Sequence, residues 1–151
     1  MTAPSVLHTQ GTKFERGELG EGDVLVWTQI AQCKDITPAD VSRSTIDVTT
    51  IDQYDGSDPD PYKQFVGGLI ESGAVDIDSV FDPDINSPQR QLEADIEAAA
   101  PVDYRIKYID GSTRQFKGIV TSLKPTNGFD DVCRQTISIK VSGKTIYTPA
   151  E

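Results

Sequence analysis

Histidine, cysteine, tryptophan and cationic charge are scarce in this sequence, and each scarcity removes a class of function. Its 151 residues include one histidine, His8, so a histidine-rich zinc site is excluded. The two cysteines, Cys33 and Cys133, lie far apart without CxxC spacing. Each is expected inside a strand as a small reduced hydrophobe, not as a disulfide partner or metal ligand. No stretch approaches the roughly 18 apolar residues of a membrane span. Met1 to Gln10 lacks the positive flank and apolar run of a secretory signal, so a soluble protein made in a cytoplasm is expected. Acidic residues outnumber basic ones 24 to 14, for a net charge of −10. Proteins that grip DNA phosphates carry the opposite balance, which argues against tight or sequence-specific DNA binding. There is no GxSxG, no phosphate-cradling GxxxxGK and no paired histidines. The carboxylates would suffice for a two-acid hydrolase, but no aromatic-lined cleft is legible around them, and neither enzymatic activity nor a cofactor is expected.

What is present is β patterning. The length suits one domain spanning residues 1–151, with 1–22 as an N-terminal arm or loop carrying at most a short strand near Thr12–Phe14. Val24 to Cys33 has apolar groups on both faces, Trp27 among them, which predicts a central strand buried on two sides. Lys34 to Asp40 reads as a turn, and Ser44 to Ile51 as a β-branched strand. An acidic loop covers 52–68, polar through Asp52–Pro61. Tyr62 to Leu69 is expected to form a short helical turn that pins Phe65 and Leu69 to the core. Gly73 to Phe81 alternates, with Val75, Ile77 and Phe81 inward and Asp76 and Asp78 outward.

One helix is predicted, over about residues 88–100. Ser87 would cap it, Pro88 suits its first position and Pro101 stops it. Leu92, Ile96, Ala99 and Ala100 would form its apolar stripe, with Glu93, Asp95 and Glu97 exposed. The C-terminal third reads as an antiparallel meander. Tyr104 and Ile106 share a face, Asp110-Gly111 is a two-residue hairpin turn, and Gly118 marks a bulge or a close-packing point. Pro125 and Asn127-Gly128 turn the chain again. Cys133, Ile137, Ile139 and Val141 then line one face of a strand that ends at Ser142-Gly143, with a short last strand at Thr145 to Tyr147.

Charge is unevenly placed. Residues 44–84 hold ten carboxylates against Lys63 alone, whereas residues 101–151 hold eight Lys or Arg against five acids. That layout suits head-to-tail contact between identical subunits, with a merely solvated surface as the plainer reading. The Asp52–Asp60 loop fails as an EF-hand, because Tyr54 occupies a required acidic position and Tyr62-Lys63 supply no closing acid. Asp82 and Asp84 around Pro83 likewise read as solvated.

The order of these elements resembles the major tail tube proteins of long, non-contractile, lambda-like siphophage tails. The resemblance is carried by Ala31 to Pro38 (AQCKDITP) entering Ser44–Ile51. It continues through Tyr104-Arg105-Ile106-Lys107 to Gly111, Phe116-Lys117-Gly118 and Arg134 to Val141 (RQTISIKV). The Asp55-Gly56 loop, the Phe65 to Leu69 segment and Phe81-Asp82-Pro83 fit the same pattern, and coverage runs over about residues 10–148. Each motif alone is ordinary turn and strand chemistry; their order and spacing carry the likeness. Similar tubes occur in gene transfer agents and prophages. Some relatives append an immunoglobulin-like domain, which a chain ending at Glu151 is expected to lack.

The resemblance implies a mainly β fold with one α-helix: an antiparallel β-sandwich or barrel of the tail tube type packing one flanking helix. It implies six-membered rings stacked into a tube through which double-stranded DNA passes without specific binding. Tape-measure, distal tail and tail terminator proteins would be partners, the location would be the virion tail, and assembly would occur in the host cytoplasm, with no membrane involved. Two expectations follow for particular residues. Asp47, Asp76 and Asp78 are candidate lumen acids, since a negative wall would repel phosphates. Asp52, Asp55, Gly56, Asp58, Asp60, Phe65 and Leu69 are candidates for inter-ring stacking. The alternatives are a contractile-tail or type VI secretion tube, a connector such as a tail terminator, or a monomeric β-sandwich ligand-binding module.

Overall fold

A computed structural model describes residues 10–50, 62–129 and 131–150. Two compact units emerge, one of Met1–Asp40 with Ser72–Glu151 and one of Val41–Glu71. Along the chain the strands are β1 (Lys13–Leu19), β2 (Leu25–Ala31), β3 (Cys33–Thr37), β4 (Val41–Asp47), β5 (Phe65–Ser72), β6 (Ala74–Val80), β7 (Val102–Lys107), β8 (Thr113–Thr126) and β9 (Arg134–Thr148). Helix α1 (Arg90–Glu97) lies between β6 and β7. The mainly β, antiparallel architecture with one helix is as the sequence predicts.

In the larger unit the sheet runs β2-β1-β7-β8-β9-β6-β3. Its two edge strands, β2 and β3, are consecutive in the chain and separated only by Gln32. Laid flat, seven strands at about 4.8 Å spacing would put those edges roughly 30 Å apart. One residue spans only about 3.5 Å, so the sheet has to curl into a barrel. Val80, at the end of β6, donates its N–H to the carbonyl of Gln32, the link between β2 and β3, at 2.9 Å. The inner face buries Phe14, Ile30, Val75, Ile77, Tyr104, Ile106, Phe116, Val120, Ile137, Ile139 and Val141, and α1 adds Leu92. Phe14 stacks on Tyr104 at 5.5 Å between ring centroids, and Tyr104 meets Phe116 at 6.0 Å.

Several expectations are corrected. The segment read as an arm contains β1, an interior strand of the sheet with Phe14 wholly buried. Its charges hid it, because Glu15, Arg16 and Glu18 look solvated in sequence, yet Glu15 and Arg16 are paired inside the fold. β2 is an edge strand and not a central one, with Val24 and Val26 exposed. Half-buried Trp27 lies under the Arg105 guanidinium, 4.5 Å from its ring centroid, and covers Gly17. Lys34 to Thr37 is strand β3 paired with β6, not a turn. Tyr62 to Leu69 is not helical: Phe65 opens strand β5, and Phe65 and Leu69 are 55% and 87% exposed. β4 begins at Val41 and ends at Asp47, earlier than the predicted strand.

The C-terminal meander forms as predicted, with longer strands. β8 runs through Pro125 to Thr126, and β9 through Ser142-Gly143 to Thr148, so the expected short last strand is its continuation. The β7–β8 turn has three central residues, not two. Gly111 sits at φ +93 and donates to the Tyr108 carbonyl, while Tyr108 donates to that of Ser112. Gly118 is a close-packing point between two bulges in the β8–β9 ladder, where a Cβ would overlap the Ile139 side chain. Cys133 lies outside β9 and is exposed, whereas Cys33 is half-buried against the core. Burial pushes the Cys33 thiol up to about 11. One thiol should therefore react promptly with an aromatic disulfide reagent in the native protein, and the second only after unfolding. Two fast thiols would contradict this packing.

Candidate functional site

Helix α1 is shorter than predicted and is held by charge as much as by apolar contact. Gln89, not Ser87, is the N-cap residue, and Ser87 Oγ accepts from the Gln89 N–H at 3.3 Å. The Gln89 amide ties the helix start to β6, with Nε2 donating to the Val80 carbonyl at 2.7 Å and Oε1 accepting from Asp82 N at 3.1 Å. The predicted stripe holds only at Leu92: Ile96, Ala99 and Ala100 are exposed. Asp95, expected on the solvent side, is buried. Arg16 Nε and Nη2 reach its two oxygens at 2.8 and 2.9 Å, and the Tyr104 hydroxyl donates to it at 2.6 Å. Burial, then the hydrogen bond to Asp95, pushes the Tyr104 phenol well above the usual tyrosine range. The Asp95 hydrogen bond, its largest influence, raises the already high pKa of Arg16. With both Asp95 oxygens engaged by Arg16 and Tyr104, the constellation fastens the helix to the sheet, and Arg16 also borders a cleft of about 440 Å³.

Among the described residues, the larger unit holds clefts of about 390, 490 and 440 Å³. One of about 490 Å³ lies between β3 and the start of β1, lined by Thr12, Cys33, Ile36, Pro38, Ile106 and Tyr108 among others. Its single aromatic is Tyr108, against the several that a ligand-binding module should show. Among the described residues, no group of three or more His, Cys, Asp and Glu side chains is gathered to hold a metal ion.

The outer face of the barrel carries two of the three candidate lumen acids. Asp76 and Asp78 point away from the face that buries Val75 and Ile77, as the alternation predicts. Asp76 is exposed and accepts from Ser138 Oγ at 2.7 Å, whereas half-buried Asp78 lies 3.5 Å from Arg134 Nη1. Strand pairing adds Asp35, which the sequence reading left in a turn, directly opposite Asp78.

Asp47 belongs to the smaller unit, the two-stranded ribbon β4–β5. The Thr49 hydroxyl and N–H hold its carboxyl below the usual carboxylate range. Val48 donates to the Gln64 carbonyl at 2.9 Å, and Gln64 N donates to Thr49 Oγ1 at 2.9 Å. Asp52, Asp55, Gly56, Asp58 and Asp60 lie outside the described residues. The Cβ positions of Gly67 and Gly68 fall against Arg43 and Ser44 respectively, which sets the faces. Residues alternate across a strand. One face therefore carries Ile46, Val66 and Ile70 beside Ser42, Ser44 and Gly68, without a charge. The other carries Phe65 and Leu69 together with Arg43, Asp47 and Glu71. All of these large apolar groups are exposed. The uncharged face is not legible in the sequence, because a helical reading of residues 62–69 scrambles a period of two.

The family model described as "Lambda phage tail tube protein, TTP" matches residues 8–148. No curated protein matches the chain. The fold is similar to a chain of the tail of an empty GTA particle, at TM-score 0.70 and 13% identity over 95% of this chain and 100% of that one. It is similar to the SPP1 tail tube, at TM-score 0.65 and 8% identity over 97% and 81%. A chain of the PVC sheath-tube complex of an extracellular contractile injection system gives TM-score 0.58 and 16% identity over 90% and 88%. At these identities the structures speak for the fold, and the family match speaks for kinship. With nearly its whole length matched by that family model, the chain belongs to the lambda phage tail tube protein family and is a structural tail tube protein.

Proposed function

We propose that the protein is the major tail tube subunit of a long non-contractile tail, of a phage or of a phage-derived particle such as a gene transfer agent. Six copies close a ring, rings stack into a tube, and double-stranded DNA passes through it. Both compact units act as one tail tube domain, assembled in the host cytoplasm into the virion tail. The tape-measure, distal tail and tail terminator proteins set its length and ends. The observation that carries this reading is the β4–β5 ribbon. Two strands alone are marginal in water, and this pair exposes an uncharged apolar face that a neighbouring copy would cover. Open edges on β2 and β3 are further sites where contact between copies removes an aggregation hazard.

The loop that joins β4 to β5 is assigned to inter-ring stacking, together with Phe65 and Leu69. Deleting Asp55–Asp60 should leave a folded subunit that no longer polymerises, by circular dichroism and light scattering. Normal tubes from that variant would reduce the loop to a surface feature. Asp47, Asp76 and Asp78 are assigned to the lumen, where carboxylates keep phosphates from sticking. Asp78 shares its charge with Arg134, so Asp47 and Asp76 carry more of the field. A tube structure with a net-basic lumen would overturn that assignment. The likeness to the PVC sheath-tube chain favours a second reading, the tube of a contractile system. Co-purification with a sheath protein would decide for it.

A further inference from the structure

The sequence holds two asparagines, Asn86 and Asn127, and three places where an acid or amide directly precedes glycine: Asp55-Gly56, Asp110-Gly111 and Asn127-Gly128. Such residues can cyclise, because the next backbone nitrogen can reach the side-chain carbonyl carbon. Glycine hinders that nitrogen least. The fold treats these places differently, and Asp55-Gly56 lies outside the described residues. At Asn86 the attacking nitrogen is tied down: Ser87 is buried, and its N–H donates to the Asp84 carbonyl at 3.0 Å. At Asp110, Gly111 N donates to the Tyr108 carbonyl at 3.1 Å, and Oδ1 accepts from Ser112 N and Oγ at 2.9 and 2.6 Å. The Ser112 hydroxyl and N–H hold the Asp110 carboxyl below the usual carboxylate range. An ionised carboxylate is a poor electrophile.

Asn127-Gly128 has none of these restraints. It follows Thr126, the last residue of β8, and both of its residues are exposed. Among the described residues no acceptor takes the Gly128 N–H; the turn uses only the Gly128 carbonyl, which accepts from Asp131 N at 3.4 Å. Space around Gly128 is open, since a Cβ there would meet only Asp131, at 3.5 Å. We propose that Asn127 is a site of spontaneous modification, where the Gly128 backbone nitrogen turns the side-chain amide into a carboxylate through a cyclic imide. The Gly128 N–H gives its proton to hydroxide, and the nitrogen lone pair forms a bond to Asn127 Cγ. The Cγ–Nδ2 bond breaks, and ammonia leaves with a proton taken from water. A water molecule then opens the imide. Attack at the side-chain carbonyl gives aspartate; attack at the main-chain carbonyl gives isoaspartate, with a main chain longer by one carbon. Either product places a new carboxylate one residue beyond Thr126, the register partner of Arg134, which already pairs with Asp131 and Asp78. The chemistry needs no cofactor and no second copy.

Peptide mapping by mass spectrometry tests it, on the full chain incubated in mildly alkaline oxygen-18 water and digested in ordinary water. The Asn127 peptide should take up one heavy oxygen at least about tenfold faster than the Asn86 peptide, whose backbone hydrogen bond must first open. Gly128→Ala should slow the conversion severalfold, because the added methyl group shields the nitrogen. Alanine fits the folded turn, since Gly128 is not in the left-handed region and a Cβ there makes only ordinary contact. In denaturant Asn86 should speed up, while Asn127 keeps nearly its native rate. An Asn127 rate no faster than that of Asn86 in the folded chain would overturn the proposal. So would a large acceleration of Asn127 on unfolding, or an unchanged rate in Gly128→Ala.

Discussion

Replacing Asp95 by Ala should lower the stability of the protein by about 3–5 kcal/mol, the usual loss when one partner of a buried pair is removed. The reason is what remains. Arg16, with its side chain only 14% exposed, would keep its charge with only the exposed Glu18 carboxylate, 3.7 Å away, and the Tyr104 hydroxyl would lose its acceptor. For a domain of this size each kcal/mol moves the melting midpoint by about 2–4 °C, so the shift should approach 10 °C or more. Two comparisons isolate the cause. Tyr104→Phe keeps the ion pair and removes one hydrogen bond to a charged group, for a loss of about 1.5–3 kcal/mol. Glu93→Ala removes the exposed pair with Arg90 on the same helix, which should change stability by no more than about 0.5 kcal/mol. Denaturant titration of the three variants ranks them. A loss at Asp95 no larger than at Glu93 would mean that the helix is held by Leu92 and the Gln89 amide without help from the buried pair.

Val66→Lys combined with Ile70→Lys should abolish assembly while leaving the barrel folded. Both residues lie on the uncharged face of the ribbon and are already exposed, so lysine there meets water in the isolated subunit and harms nothing. In a tube that covers this face, each ammonium would be desolvated without a partner, at a cost of several kcal/mol. At tenfold per 1.4 kcal/mol, the concentration needed for polymerisation should rise by about a thousandfold or more. Ala94→Lys, at an exposed position of α1, is the control and should assemble at near wild-type concentration. Equal behaviour of the two variants would remove the uncharged face from the interface.

What the sequence made legible, and what it hid, follows from where charge and period agree. The Tyr104–Ile106 and Ile137–Val141 runs alternate cleanly with polar outer residues, so their strands and core faces could be read directly. The same held for Val75 and Ile77, and therefore for the outward direction of Asp76 and Asp78. β1 was hidden because Glu15 and Arg16 find partners contributed from far along the chain, Arg105 and Asp95, and a local pattern registers only their charge. Asp95 was misassigned for the same reason: on a helical wheel a buried, paired carboxylate looks like any solvent-facing one. The ribbon was missed because Gly67 and Gly68 interrupt its alternation, leaving Phe65 and Leu69 at a spacing that also suits a helix turn. Family kinship was legible through the order of turns, since that order survives where individual strand limits shift by several residues.

The central claim is that this chain polymerises into a tube. Negative-stain electron microscopy of the purified protein at rising concentration, paired with light scattering and repeated with a tail initiator complex, tests it most directly. Hollow tubes of uniform diameter, built of stacked rings, are the predicted result. A species that stays monomeric at every concentration, with the initiator present, would contradict the claim.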